Sequence, residues 1–277
     1  VGKVRVLDRS EARSALDFLE RAPEEHLFLT SKLAEFGMDR RRLGRLLAHL
    51  GADGEIDGLC LDGGTVFVTR SAPEALPAFV RELGRLRRAS SLVGPTFEAM
   101  GLYVGLSQRY GEMWSSCSNV RERQPLMLLD EPCAVDGDPR VRQLVDADYE
   151  SYLQASVDMY TAEIGASPFK YGPGYETFVL QRLRGADAYG IVEDGEVIFK
   201  ADLGPRHLDQ VQLQGVWLRP DLRGRGLAVP ALAQMLRDVQ RRFPRVSLYV
   251  NDFNHAAIRT YERLGFRTVG SLSTVHY

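Results

Sequence analysis

Two glycines constrain this chain more than any other feature. Gly224 and Gly226 lie between an extended run, Gln210 to Leu218, and a stretch marked by Leu232, Met235, Leu236 and Val239. Hydrophobic spacing switches there from a period near two to one near 3.6, as where a strand feeds an amphipathic helix. A β-rich run (Val246 to Val250) and a second helical stripe (Ala257, Ile258, Tyr261, Leu264) follow. A glycine loop opening a helix gathers unbonded N–H groups at the positive end of the helix dipole, where a phosphate is stabilised. Pro230 in the first turn costs little, because its N–H would have no helical acceptor. Alone, Gly-x-Gly before a helix is a weak signal. No Lys-Ser/Thr follows Gly226, which excludes a P-loop. The next strand ends in Val250-Asn251, without the acidic residue a dinucleotide fold requires.

The segment Arg223-Gly-Arg-Gly-Leu-Ala228 resembles the pyrophosphate loop of the GCN5-related N-acetyltransferases, whose pattern is Gln/Arg-x-x-Gly-x-Gly/Ala. Asn254 to Phe266, with Ala257, Tyr261 and Gly265-Phe266, resembles that superfamily's second acyl-CoA-contacting block, in the same order and spacing. The whole chain is similar to an actinobacterial type with an uncharacterised domain ahead of the acetyltransferase domain. RERQPLM (Arg121 to Met127), QGVW (Gln214 to Trp217) and SLYVNDFN (Ser247 to Asn254) carry that likeness.

The resemblance implies acetyl-CoA as cofactor, with Arg223, Gly224, Arg225, Gly226, Leu227 and Ala228 on its phosphates. It places the backbone of Val216, Trp217 and Leu218 along the pantetheine arm, and Asn251, Asn254, Ala257 and Tyr261 beside it. Asn254 suits a helix N-cap equally well. Tyr261 takes the position of the acid that protonates the departing thiolate. One departure stands out. Many members carry a carboxylate base on the strand before the loop, where this chain has Gln210, Gln212 and Gln214 on one face. Glu163 and Asp202 are the substitutes, and a water relay is a third route. The resemblance makes RERQPLM interdomain structure; the alternative is that Arg121, Glu122, Arg123 and Gln124 line a substrate groove.

With 277 residues the chain fills one large domain or two ordinary ones. A formal charge of −2 gives no support for a nucleic-acid-binding surface. Cys60, Cys117 and Cys133 form no CxxC pair or cluster with histidine, so neither a zinc site nor a disulfide framework is expected. His26, His49 and His255 read as structural or surface residues. No run has the length of a membrane span or the apolar core of a signal peptide, so a cytoplasmic location is expected, although the first residue is not Met.

VRVLDRSEARSALDFL from Val4 echoes VRQLVDADYESYLQA from Val141, at an offset of 137 residues. Helical stretches are expected over 24–36 and 39–49, a hairpin about Asp62-Gly63-Gly64, a helix from Pro73, a strand at Ser91 to Gly94 and a helix near Phe97 to Leu106. In the second half the periodicity predicts a helix from Ala147 to Glu163, a loop at 171–175, a hairpin about Asp194-Gly195, and two short β stretches after Thr268 parted by Gly270-Ser271. Linker composition from Glu131 to Pro139 puts a boundary near Asp136. The expected fold is α/β (mixed α+β), with tandem acetyltransferase-like domains at 1–135 and 136–277. Each has a central twisted mixed sheet flanked by helices, the first degenerate. The expected activity is acetyl transfer to a small-molecule or peptide amine in a ternary complex, by a monomer or homodimer without metal, nucleic-acid or membrane partners. The alternatives are a non-catalytic acyl-CoA-binding regulator and an enzyme using a longer acyl-CoA.

Overall fold

In a computed structural model, which describes residues 3–171 and 174–277, the chain runs twice through one succession of elements. The first pass is β1 (Lys3–Val6), α1 (Ala12–Leu19), α2 (Pro23–Phe36), β2 (Arg45–Leu50), β3 (Ile56–Asp62), β4 (Thr65–Val68), α3 (Ala75–Leu83), β5 (Ser91–Pro95), α4 (Thr96–Tyr110), the single turn α5 (Glu112–Ser115) and β6 (Asn119–Leu129). The second is β7 (Arg142–Gln143), α6 (Tyr149–Ile164), α7 (Gly174–Arg184), β8 (Ala188–Glu193), β9 (Glu196–His207), β10 (Gln210–Leu218), α8 (Ala228–Gln240), β11 (Arg245–Tyr249), α9 (His255–Arg263) and β12 (Arg267–His276). The echo from Val4 to Val141 opens this repeat.

The strands form one twelve-stranded sheet in the order β1-β2-β3-β4-β5-β12-β6-β11-β10-β9-β8-β7. One adjacent pair in each half is parallel, β4 with β5 and β10 with β11. The last strands of the two halves change places. β12 lies between β5 and β6, and β6 lies between β12 and β11. The RERQPLM motif is therefore a central strand that joins the halves.

Helices cover both faces, because the strands bury apolar side chains on both sides. In the first half Leu29 and Leu33 of α2 pack with Phe67, while Phe79 of α3 and Leu102 of α4 pack with Val66 and Val68. In the second, Tyr152 of α6 and Val179 of α7 pack with Val197 and Trp217, while Leu232 and Leu236 of α8 and Tyr261 of α9 pack with Val211, Leu213 and Val246.

Two local expectations are corrected. The expected 39–49 helix is absent: residues 39–44 are turn and loop, and Arg45–Leu50 is strand β2. Leu43, Leu46, Leu47 and Leu50 have helical spacing, but β2 is buried on both sides, with Leu47 in one core and Leu46 and Ala48 in the other. A strand of that kind shows no period of two. The expected pair of stretches after Thr268 is the single strand β12, in which Gly270 marks a bulge instead of a turn. The expected 171–175 loop includes residues 172 and 173, which lie outside the described residues.

Candidate active site

The parallel pairing of β10 and β11 covers only Gln210 with Arg245, Val211 with Val246 and Gln212 with Ser247. Both strands run on, to Leu218 and Tyr249, without bonding each other. A wedge thus opens in the middle of a continuous sheet, flanked by Val216, Trp217 and Leu218 on one side and by Asn251 and the start of α9 on the other. Along its first wall β10 is bulged: Gln214 pairs with Asp202 and Trp217 with Lys200, so Gly215 and Val216 together face Ala201. The bulge reverses the side-chain alternation. Before it the three glutamines face away from α8; after it Trp217 takes that face, buried against α6 and α7, while Val216 and Leu218 turn toward α8.

The glycine loop caps the wedge. Gly224 and Gly226 have φ of 75° and 78°, in the left-handed region that glycine favours, with open space where a Cβ would sit. Among the described residues no acceptor is bonded to the N–H groups of Gly224 through Leu227. α8 begins at Ala228 without a side-chain cap. The exposed Arg223 folds back, its Nε donating to the Leu218 carbonyl at 2.9 Å, and Arg225, two residues on, is exposed as well. These orphan donors and two guanidinium groups suit a diphosphate, and the loop is not covered by the first half.

On the opposite wall Asn254 Oδ1 accepts from the Ala257 N–H at 3.2 Å, so the side chain caps α9. Asn251 Oδ1 accepts from Gln124 Nε2 at 3.1 Å, and Gln124 Oε1 accepts from Thr274 Oγ1 at 2.7 Å. This polar wall therefore depends on β6 and β12 as well as on its own strand. Ala257 is half-buried and His255 exposed.

Tyr261 is buried, its ring edge-on to Phe266 at 5.8 Å. Burial pushes the phenol well above its ordinary range, and the negative field of Glu163 adds to the effect. Tyr249, at the end of β11, is 38% exposed; the protein crowded around it and Glu163 raise its phenol, and Arg121 lowers it. Glu163 is exposed near the end of α6, and its charge raises both phenols. Asp202 is placed differently. It is 6% exposed, with Oδ1 accepting from the Tyr152 hydroxyl at 2.9 Å and Oδ2 facing Lys200 Nζ at 2.7 Å.

The glutamine face looks toward the first half. Gln210 Nε2 donates to Ser247 Oγ at 3.2 Å, and Gln212 and Gln214 line a cavity of about 1050 Å³ beneath α2 of the first half. Tyr249, Phe28 and Lys32 also line it. Gln214 and Tyr249 border the wedge as well, so cavity and wedge meet there. The cavity went unseen because its walls come from residues as distant as Glu24 and His276.

In the first half the corresponding place is filled. β4 and β5 pair from Thr65 with Ser91 to Phe67 with Val93, and a Cβ on Gly94 would come within 2.3 Å of the Val68 carbonyl oxygen, so the strands stay in contact. The loop before α3 has its donors occupied. Thr69 N–H donates to Leu59, Arg70 N–H to His26 Nε2 at 3.1 Å, Ser71 N–H to Glu98 at 3.4 Å and Ala72 N–H to Asp57. Arg70 also forks onto Glu25, a residue that lines the cavity. Among the described residues no group of three or more His, Cys, Asp or Glu is placed to hold a metal ion, and no helix is long and apolar enough to cross a membrane.

Residues 149–266 match the model of the acetyltransferase (GNAT) family, and residues 44–152 match a domain of unknown function, DUF4081. No curated protein matches the sequence. Among solved structures the whole chain is similar to a GCN5-related N-acetyltransferase from Sphaerobacter thermophilus, at a TM-score of 0.65 and 14% identity, over 95% of that chain. A GNAT-family acetyltransferase from Colwellia psychrerythraea gives 0.57 at 12% identity, covering 99% of both chains. A tandem GNAT protein from the clavulanic acid biosynthesis pathway gives 0.56 at 16% identity, covering all of this chain and 98% of that one. At these identities the likenesses establish the fold.

Proposed function

The chain carries a GNAT-family acetyltransferase domain behind a DUF4081 domain, and from that premise we propose that it is an acetyl-CoA-dependent N-acetyltransferase with one cofactor site, in the half from residue 136 to 277. The observation that carries the reading is the open wedge, capped by unbonded loop donors and meeting a roomy cavity at Gln214 and Tyr249. In this reading the N–H groups of Gly224 to Ala228 hold the diphosphate, with Arg223 and Arg225 adding charge. The freed backbone of Val216 to Leu218 and the side of Asn251, Asn254 and Ala257 border the arm. Bound acetyl-CoA supplies an acetyl thioester activated toward an amine.

The protein's own residues then do three things. The cavity admits an amine acceptor beside β10. Glu163, exposed and with its charge felt by both tyrosines, takes the amine proton directly or through water; Asp202 is the weaker candidate, because its two oxygens are already engaged. Tyr261, held protonated by burial, donates to the leaving sulfur. Residues 1–135 form a degenerate copy that walls the acceptor cavity and whose own loop is closed by its side chains. The test is to offer acetyl-CoA with a broad amine panel that includes peptides, following thiol release and product mass. Turnover of at least one amine is expected. Cofactor binding with no turnover across the panel contradicts catalysis and favours a non-catalytic acyl-CoA binder.

A further inference from the structure

Lys200 is buried without exposure in the middle of Val197–Leu203, an otherwise apolar run apart from Asp202. Its ammonium makes three contacts: Asp202 Oδ2 at 2.7 Å, the Gly215 carbonyl oxygen at 2.8 Å and Met159 Sδ at 3.7 Å. Asp202 Oδ1 in turn accepts from Tyr152 at 2.9 Å, and the ammonium lies 5.4 Å from the centre of the Tyr152 ring. Removing two charges from water is costly, and well-packed apolar residues of similar volume serve stability at least as well. Stability alone is therefore a poor account of the pair.

What the pair holds is the β10 bulge. Gly215 has φ of 61°, and its carbonyl, which two facing strands would ordinarily share, is turned toward Lys200. A Cβ on Gly215 would come within 2.4 Å of Asp202 Oδ2 and 3.0 Å of Lys200 Nζ, so the ion pair and the glycine fit only each other. No peptide bond in the described residues is cis. In a trans peptide the carbonyl and the following N–H point in opposite directions. Fixing the Gly215 carbonyl on Lys200 therefore aims the Val216 N–H away from it, on the strand that walls the wedge.

We propose that Lys200, Asp202 and Tyr152 are positioning residues: a buried clamp that sets the peptide between Gly215 and Val216, so that the Val216 N–H faces the reacting carbonyl group. The clamp rests on the acyl-CoA reading of the wedge, and it accounts for Asp202 without making it a base.

The test uses two variants of the full chain. Tyr152→Phe/Lys200→Met/Asp202→Leu removes the whole polar cluster at similar volume. Asp202→Asn keeps Lys200 but leaves its buried ammonium without a counter-charge. Two readouts are taken: acetyl-CoA turnover with affinity measured separately, and amide hydrogen exchange along β10, which needs no turnover. The triple variant is expected to fold, to exchange the amides of 214–217 at least about tenfold faster than wild type, and to lose kcat by about 100-fold, the scale of one lost donor to developing charge. Its acetyl-CoA affinity is expected to be unchanged. Asp202→Asn is expected to speed exchange at 214–217 and to lower kcat together, because the clamp loses its counter-charge. Unchanged exchange at 214–217 in the triple variant overturns the clamp, and so does an Asp202→Asn variant that loses turnover altogether while its exchange stays normal, which would mark Asp202 as the base. Should wild type not turn over any amine, the acetyltransferase reading fails and the exchange data alone decide the clamp.

Discussion

Tyr261, the proposed acid, shows how burial changes a common side chain. In water a phenol ionises near pH 10, but here the charged form is disfavoured by the core between α8 and α9 and by Glu163. The neutral hydroxyl is thereby kept as a donor throughout the working range. Tyr261→Phe should lower kcat by about 100-fold while acetyl-CoA affinity changes little; steady-state kinetics beside equilibrium binding reads the two apart, and equal losses in both would make Tyr261 a packing residue. His26 serves the fold in the complementary way. Its ring sits between the Leu19 carbonyl and the Arg70 N–H, 3.0 and 3.1 Å away, and burial lowers its pKa. It is neutral when native, so below about pH 6.5 the unfolded chain takes up the proton first and native stability falls. His276, also lowered by burial and by Arg121, adds to the loss. The urea midpoint should therefore drop between pH 7.5 and pH 5, and less steeply in His26→Gln; a flat midpoint would contradict the assignment. At this scale the sequence was readable where a motif fixes a residue's place, as for Tyr261. The lysine in the apolar run at Lys200 was a signal available in the sequence, since a charge there has to find a partner, but its partner and purpose needed the bulge of β10 to be seen.

Among elements, the strand exchange has the largest consequence. β12 pairs with β5 and β6, and Val275 and Tyr277 pack into the first half's core with Trp114, the Tyr277 and Trp114 rings 5.8 Å apart and edge-on. β6 in turn supplies Gln124 to the second half's wedge. Neither half can complete its sheet alone, because each would expose a long central edge. Residues 1–135 and 136–277 made separately should therefore aggregate or remain partly unfolded, and made together should recover a folded, cofactor-binding complex. Circular dichroism and gel filtration would show it, and a stable, monomeric first half would count against the exchange. The elements around the two glycines were legible because periodicity changes sharply across them. β2 was not, since a strand buried on both faces carries no alternation. The place of β12 was not legible either: pairing between residues some 150 positions apart leaves no local trace in spacing, as Thr274 and Gln124 show.

For the whole molecule, duplication has given one sheet two equivalent places and left them in opposite states. In the second half, paired strands part after Gln212, and loop donors stand free above the gap. In the first, the strands stay together, and His26, Glu98 and Asp57 take up the loop's donors. The first half then contributes a wall: Glu25, tied to Arg70, and Phe28 close the cavity over the second half's glutamines. On the proposed function such an arrangement would hold one acyl-CoA, with the acceptor between the halves. Calorimetric titration of the full chain with acetyl-CoA, beside Gly226→Ala, tests this most directly. A Cβ at that left-handed position costs about 1–2 kcal/mol of backbone strain and stands where the diphosphate would lie. The account predicts one molecule bound per chain, and affinity weakened by at least about tenfold in the variant. Two molecules per chain, none, or one bound equally well by Gly226→Ala would contradict it.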